Sequence, residues 1–421
     1  MAQWRNWSGS VVASPAELAS PRTEGELCAI VARAARVRVA GTGHSFMPLC
    51  ETDGALVSLS EMEGEIEVAA DRQSVWVPAG WPIWRLTQRL WAEGLSLANQ
   101  GDIDKQAIAG ALATATHGTG RTLGSLSTFA LAYRLVLADG SVVECDAQHE
   151  PELFQAQRVS LGMLGVMARV RLAVMPGYRL RETMRRAPLA QVLGEWDALA
   201  DAHRHVEFFV FPYSDHVALK ILDVVEAGDD PVEKDPGRGV FQAVCDLAAL
   251  SPRMAPTLQR LLTRAIGSSQ RAAPSGRIFP SERDIRFEEM EYEMPATVGA
   301  ETLRAAIAEV RARRLPIIFP FEFRSVAGDD IWLSPMNAGP CVSISFHQYA
   351  KMPWKDAFAF VEAVFRANGG RPHWAKRHTL SSADVLRLYP MAKPWGEVRR
   401  RFDPTAKFLN GHLRELFSFS L

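Results

Sequence analysis

Pro320-Phe321-Glu322-Phe323-Arg324 sets a carboxylate and a guanidinium two residues apart, so on a strand both side chains leave the same face. Between phenylalanines, such charges are costly to bury unless paired, and buried pairs often mark a site; an exposed ion pair is the alternative. Further on, Gly369-Gly370-Arg371-Pro372-His373-Trp374-Ala375-Lys376 gathers a histidine, an indole and a lysine after a Gly-Gly turn. Lys376 supplies a point charge for an anion there, and His373 a hydrogen bond. Far upstream, Gly41-Thr42-Gly43-His44-Ser45 offers glycines that let backbone N–H groups approach a pyrophosphate, with His44 at the loop's tip. Read alone, that loop is also an ordinary glycine turn with a solvent histidine.

A second small-residue run, Asn99 to Gly120, includes Gly101, Gly110, Thr114, Thr116, His117, Gly118 and Thr119. Its composition suits a backbone pressed against a flat ligand, or else a tightly packed helix start. A nicotinamide-dinucleotide fingerprint is disfavoured: its third glycine falls on Phe46, and Pro48 follows at once.

Those residues need elements to position them. Val37-Arg38-Val39, Ala55 to Leu59 and Ser74 to Pro78 read as strands, and Trp84 to Ala92 as a helix ending at Gly94. Tyr133 to Leu137 and Ser141 to Cys145 flank Asp139-Gly140, a hairpin signal. Ala168 to Val174 is strand-like, and Pro176-Gly177 marks a boundary. Beyond it, Val206 to Pro212, Ile317 to Phe319, Phe321 to Arg324 and Val342 to Phe346 read as strands of a mostly antiparallel second unit, with Gly228 to Gly239 a loop. The fold class is α+β, with a cofactor unit over 1–176, a substrate or cap unit over 177–370, and a segment 371–421 that returns to the site.

At 421 residues, 48% hydrophobic and 23% charged, the chain reads as a soluble globular protein. Lys+Arg 47 against Asp+Glu 48 gives no pull towards nucleic acid or an anionic membrane. Cys28, Cys50, Cys145, Cys245 and Cys341 form no C-x-x-C pair, which fits a reducing cytoplasm rather than a zinc site or a disulfide framework. The start of the chain lacks a signal-peptide pattern, and no histidine shows metal-ligand spacing, so no metal is expected.

Taken in order, these segments resemble the vanillyl-alcohol oxidase superfamily, and within it the sugar-1,4-lactone (L-gulonolactone) and alditol oxidase group. Arg371-Pro372-His373-Trp374-Ala375-Lys376 matches the lactone oxidases, where alditol oxidases have Gly for Ala375; Gly328 to Pro335, Phe402-Asp403-Pro404 and Lys407-Phe408-Leu409-Asn410 extend the likeness, weakest over 179–270. The resemblance implies a two-domain flavoprotein, with a PCMH-type FAD-binding domain and an antiparallel-sheet cap domain. His44 then bonds the flavin 8α-methyl carbon, while Gly41, Thr42, Gly43, Ser45, Gly110, Thr114, Thr116, His117, Gly118, Thr119, Gly165, Val166 and His373 hold FAD. Gly101 falls beside the flavin C4a–N5 edge and leaves room for dioxygen. Lys376, Arg324 and Glu322 are the implied catalytic and substrate-binding groups. His347 lies on the substrate-side strand, as a hydroxyl contact or a structural histidine; Asp102 binds a hydroxyl or, the preferred reading, faces solvent.

The implied activity is hydride transfer from a CH–OH group of an aldono-1,4-lactone (L-gulono, galactono or arabinono type) to flavin N5, with O2 or another acceptor reoxidising it. An alditol (xylitol or sorbitol type) oxidase is the alternative. A flavin sensor without turnover is the alternative from another class, though a mere binder need not keep Glu322, Arg324 and Lys376 facing the ring. The animal lactone oxidases' membrane association is not carried over, because Asp246, Pro252, Arg253, Pro256, Arg260 and Arg264 interrupt the apolar stretch 241–266. A monomer or small homo-oligomer is expected.

Overall fold

The computed structural model describes residues 3–230, 237–281 and 284–421. In the N-terminal half, Glu17–Ala19, Ala55–Val57 and Val37–Val39 form a parallel sheet in that spatial order. A five-stranded antiparallel sheet runs Val142–Asp146, Ala130–Val136, Val166–Ala173, Ser74–Pro78, Glu67–Val68. Its hairpin turns at Gly140, whose φ of +87° is the left-handed conformation that Asp-Gly accepts. The helix Ile83–Ala92 buries Ile83, Leu86 and Leu90, and the chain leaves it through Gly94 at φ +70°. Trp374, Trp395 and Phe417 join Val75, Val77 and Leu135 in one apolar core, so the last part of the chain packs on this half.

The other half is an eight-stranded antiparallel sheet in the order Ser269–Pro274, Arg179–Pro188, His216–Val225, His205–Val210, Phe321–Val326, Cys341–Tyr349, Phe287–Pro295, Arg371–Pro372. Strand periodicity sorts most of its side chains. Phe208, Met290, Tyr292, Phe321, Phe323, Ile344 and Phe346 share a core with Leu303, Val310, Phe358 and Phe365 of the helices Gly299–Ala312 and Lys355–Ala367. Each buried phenylalanine contributes about 1.5–3 kcal/mol of hydrophobic stabilisation. The alternate residues, Glu207, Glu289, Glu291, Glu293, Glu322, Arg324, Ser343, Ser345 and His347, face the other way and are buried as well.

One expectation changes. Ile317 to Phe319 joins no ladder: Gln259 Nε2 donates to the Ile317 carbonyl at 2.7 Å, and Ile318 N–H donates to Gln348 Oε1 at 3.2 Å. Side-chain amides have taken the backbone groups a strand would use. The stretch 241–266 falls into two helices, Arg238–Leu250 and Ala255–Arg264, separated at Pro252, and no described helix is long and apolar enough to cross a membrane. Residues 231–236 of the Gly228–Gly239 loop lie outside the described residues.

Candidate active site

The strand Phe287–Pro295 reads Phe-Glu-Glu-Met-Glu-Tyr-Glu-Met-Pro, so Glu289, Glu291 and Glu293 leave one face at successive pleats. All three are at most 4% exposed, and buried carboxylates need cationic partners. Lys376 Nζ contacts Glu289, and His347 Nε2 stands 3.3 Å from the same carboxylate. Glu291 accepts from Arg324 Nη2 at 2.8 Å and from Ser343 Oγ at 2.7 Å. His117 Nε2 lies 2.8 Å from Glu291 and 3.1 Å from Glu293. The row continues across the sheet, because Arg324 pairs in register with Glu207 and Glu207 with Lys220. Lys220 Nζ is 2.8 Å from Glu207 and 3.8 Å from Asp102.

Glu322 stands apart from this pairing. Its Oε2 is 3.6 Å from Arg324, while its buried Oε1 has no hydrogen-bond partner. With Gly101, Thr116, Glu289, Arg324 and Lys376 it lines a pocket of about 50 Å³.

Burial opposes the ionised Glu289 and Glu291, yet Lys376 and His347 on the first and Arg324 and His117 on the second hold both below the usual carboxylate range. Burial would likewise lower His117, but Glu293 and Glu291 raise it to about 10, so it is an imidazolium at neutral pH. Burial lowers His373 to about 3, helped by Lys376 and His117. Burial raises Glu207 to about 7 against the pull of Lys220, and Asp102 and Glu322 add to the rise.

Backbone bonds bring Lys376 to this row. His373 N–H donates to the Glu291 carbonyl at 3.0 Å and Arg377 N–H to the Glu289 carbonyl at 2.9 Å, so the segment lies along the glutamate strand. Phe46 N–H donates to the Ala375 carbonyl at 2.7 Å, which fastens the His44 loop to the same segment. His44 stacks on Trp7, centroids 5.7 Å apart, and burial with the Lys376 charge lowers it to about 4. Its imidazole is therefore neutral at neutral pH, with a free lone pair.

A cavity of about 410 Å³ runs from this loop beneath the N-terminal half. It is lined by Gly41 to Ser45, Ser58 to Ser60, Ala79 to Pro82, Gly110, Thr114, Gln157, Gly165 and Ala375. Trp81 Nε1 and Gln157 Oε1 lie buried on its wall with no partner, a donor and an acceptor suited to a large polar ligand. The wall is close-packed: a Cβ at Gly41 would lie 2.9 Å from the Ala107 Cβ. Small residues, unpaired polar atoms and a neutral histidine beside a pocket of paired charges fit FAD.

Gly41, Thr42, Gly43, His44, Ser45, Gly110, Thr114 and Gly165 line the long cavity; Gly101, Asp102, Thr116, His117, Glu322, Arg324, His347, His373 and Lys376 line the charged pocket. Gly118, Thr119 and Val166 line neither. A Cβ at Gly118 would meet the Gln100 carbonyl at 2.3 Å, Thr119 Oγ1 donates to the Val206 carbonyl at 2.6 Å, and Val166 belongs to an apolar core. Asp102 does not face solvent: its side chain is 13% exposed, drawn inward towards Lys220. His347 is both tied to the Pro320 carbonyl, 3.1 Å from Nδ1, and part of the pocket wall. The sequence reading missed Glu289, Glu291, Glu293, Glu207 and Lys220; the period-two glutamates of 289–293 were the available signal.

Residues 170–416 match the D-arabinono-1,4-lactone oxidase family, and residues 15–146 match an FAD binding domain. L-gulono-1,4-lactone dehydrogenase of Mycobacterium tuberculosis is 37% identical, with 98% of each chain covered. L-gulonolactone oxidase of Mus musculus is 29% identical over 99% of this chain and 98% of its own. Alditol oxidase of a Streptomyces species is 28% identical, with 98% of each covered. Among solved structures, a solvent-stable cholesterol oxidase superposes with a TM-score of 0.86 at 16% identity, over 100% of this chain and 97% of that one. That likeness concerns the fold.

Proposed function

The chain belongs to the D-arabinono-1,4-lactone oxidase family of FAD-dependent oxidoreductases, and from that premise we propose how this site oxidises the CH–OH group of an aldono-1,4-lactone. When bound, FAD supplies a two-electron acceptor for the carbinol hydride. His44 anchors it covalently; the residues of the long cavity hold its body, and those of the charged pocket meet its reactive end.

One observation carries the substrate reading: Glu322 Oε1, buried and without a partner, opens into a pocket that also presents Arg324 and Lys376. A lactone hydroxyl donates to Glu322, while Arg324 stabilises the oxygen as its proton leaves. Lys376 supports the negative charge that develops at the acceptor's end. Glu289 and Glu291 orient the two cations, and the imidazolium of His117 keeps Glu291 ionised and aimed at Arg324. His347 fixes the far side of Glu289.

The same proposal assigns 1–176 to FAD, 177–370 to the substrate and 371–421 to closing the site. It places the chain in the cytoplasm as a monomer or small homo-oligomer, a location supported by five free cysteines. The alditol oxidase relative keeps open polyols as the second reading.

Anaerobic exposure of the yellow protein to L-gulono-, L-galactono- and D-arabinono-1,4-lactone and to xylitol and sorbitol tests the choice. Bleaching by a lactone supports the proposal, bleaching by alditols alone transfers it to the second reading, and no bleaching by either overturns both. Colour that washes off in acid would remove the His44 bond from the account.

A further inference from the structure

A second, larger cavity of about 710 Å³ reaches the same His44 from another direction. Its wall and that of the charged pocket have only Ile103 in common, so the two are separate chambers. Their chemistry differs too. Trp84, Gln88 and Trp91 reach the second cavity from one helix face, at spacings of four and three residues, while Ile83, Leu86 and Leu90 of that helix turn to the core. Trp84 is 43% exposed, an indole that the fold itself does not use. Trp7 completes the aromatic wall and stacks on His44. Gln100, 2% exposed, also lines the cavity, and its Nε2 has no hydrogen-bond partner. Gln88 adds a second amide, and the charged lining residues, Asp104 and Asp284 with Lys105 and Arg277, are equal in number of each sign. Indole faces and amide donors, next to the residue that anchors the cofactor, suit a flat ring without net charge that bears a carbonyl.

We propose that this cavity binds the oxidising substrate, a quinone, whose ring packs against Trp84 and Trp91 and whose carbonyl oxygen accepts from Gln100. The inference rests on the reading above, in which a lactone CH–OH becomes C=O and gives up two electrons and two protons. The quinone's two carbonyl oxygens take those two electrons and two protons and become the hydroxyls of a hydroquinone, so the cycle closes without dioxygen. Donor and acceptor then occupy different chambers, and one need not leave before the other binds.

The probe is 2,3-dimethoxy-5-methyl-1,4-benzoquinone, used with FAD-loaded wild type and with Trp84→Ala and Gln100→Leu. Equilibrium dialysis against the oxidised proteins reads binding directly. Separately, protein reduced by lactone under argon, or by light if no lactone reduces it, is mixed with the quinone or with dioxygen. The expected result is saturable binding that weakens about tenfold in each variant, with a matching loss in quinone-driven reoxidation. In Trp84→Ala, lactone bleaching and dioxygen reoxidation stay within twofold of wild type, and Trp84, being half in solvent, is replaced without loss of folding. Absence of saturable binding by wild type overturns the proposal. So does binding that neither variant alters, or a Trp84→Ala protein that slows lactone bleaching instead, which would make the cavity part of the sugar's path. Failure of every lactone to bleach the flavin strikes the donor reading alone, because the light-reduced protein still reports on the quinone.

Discussion

The long cavity that begins at His44 is lined mainly by glycines, alanines, serines and threonines, whereas the pocket around Arg324 is lined mainly by charged side chains held in a paired row. The first recognises by close approach: it brings backbone within reach of a large ligand, and its one specialised group, His44, is kept neutral. The second recognises by charge, and it can keep that charge buried only because each carboxylate of the 289–293 strand meets a cation from another element. The same sheet shows the contrast on its two faces, since Phe208, Phe321, Phe323 and Phe346 supply cohesion against the helices while Glu289, Glu291 and Glu322 supply chemistry. Damage to the first region should therefore cost cofactor, and damage to the second should cost stability and rate together.

The largest expected effect tests that last pairing. Lys376→Met leaves Glu289 without its closest cation, and stability should fall by about 3–5 kcal/mol in denaturant titration. Adding Glu289→Gln should restore most of it; a double variant as unstable as the single would break the comparison. On the other side, Gly41→Ala forces a Cβ to 2.9 Å from Ala107, a crowding worth about 1–3 kcal/mol. It should show as weaker retention of FAD on gel filtration, with the charged row intact. A normal FAD content would mean that the cavity wall is softer than its packing suggests.

Proton linkage separates the regions more finely. His117 is raised from 6.5 to about 10 in the folded state, so its contribution is complete below pH 6.5 and is lost as pH rises towards 10. Glu289 and Glu291 are lowered, so theirs is complete above the ordinary carboxylate value and is lost in acid. The melting temperature should fall between pH 6.5 and 10, and His117→Gln should remove that slope. The smallest effect is the control: Arg22 and Glu63 form an ion pair with side chains 68% and 61% exposed. Arg22→Ala should cost about 0–1 kcal/mol, an effect that salt erases. A cost comparable to that of Lys376→Met would deny burial its decisive role.

Much of this contrast is written in short segments. His44 is visible because its glycines are local, and Glu322 with Arg324 because period two places both on one face. Lys376 is visible through its string of neighbours. The glutamates at 289, 291 and 293 are different: alternation of charged and apolar residues ordinarily marks a strand with one face in water. Only the docking of that face against the cofactor half, a tertiary fact, buries them. Glu207 and Lys220 are each unremarkable until strand register sets them side by side. Asp102 reads as a solvent carboxylate until Lys220, on a distant strand, is seen beside it. Ile317 to Phe319 has strand composition, but two glutamine side chains claim its backbone.

The central claim is that the charged row acts on a carbinol at a cofactor held by His44. Its most direct measurement is the anaerobic bleaching rate of the Lys376→Met, Glu289→Gln double variant, mixed with whichever lactone reduces the wild type. A folded protein with acid-stable yellow colour and bleaching slowed about 10²–10³-fold is the predicted result. Bleaching at the wild-type rate would contradict it.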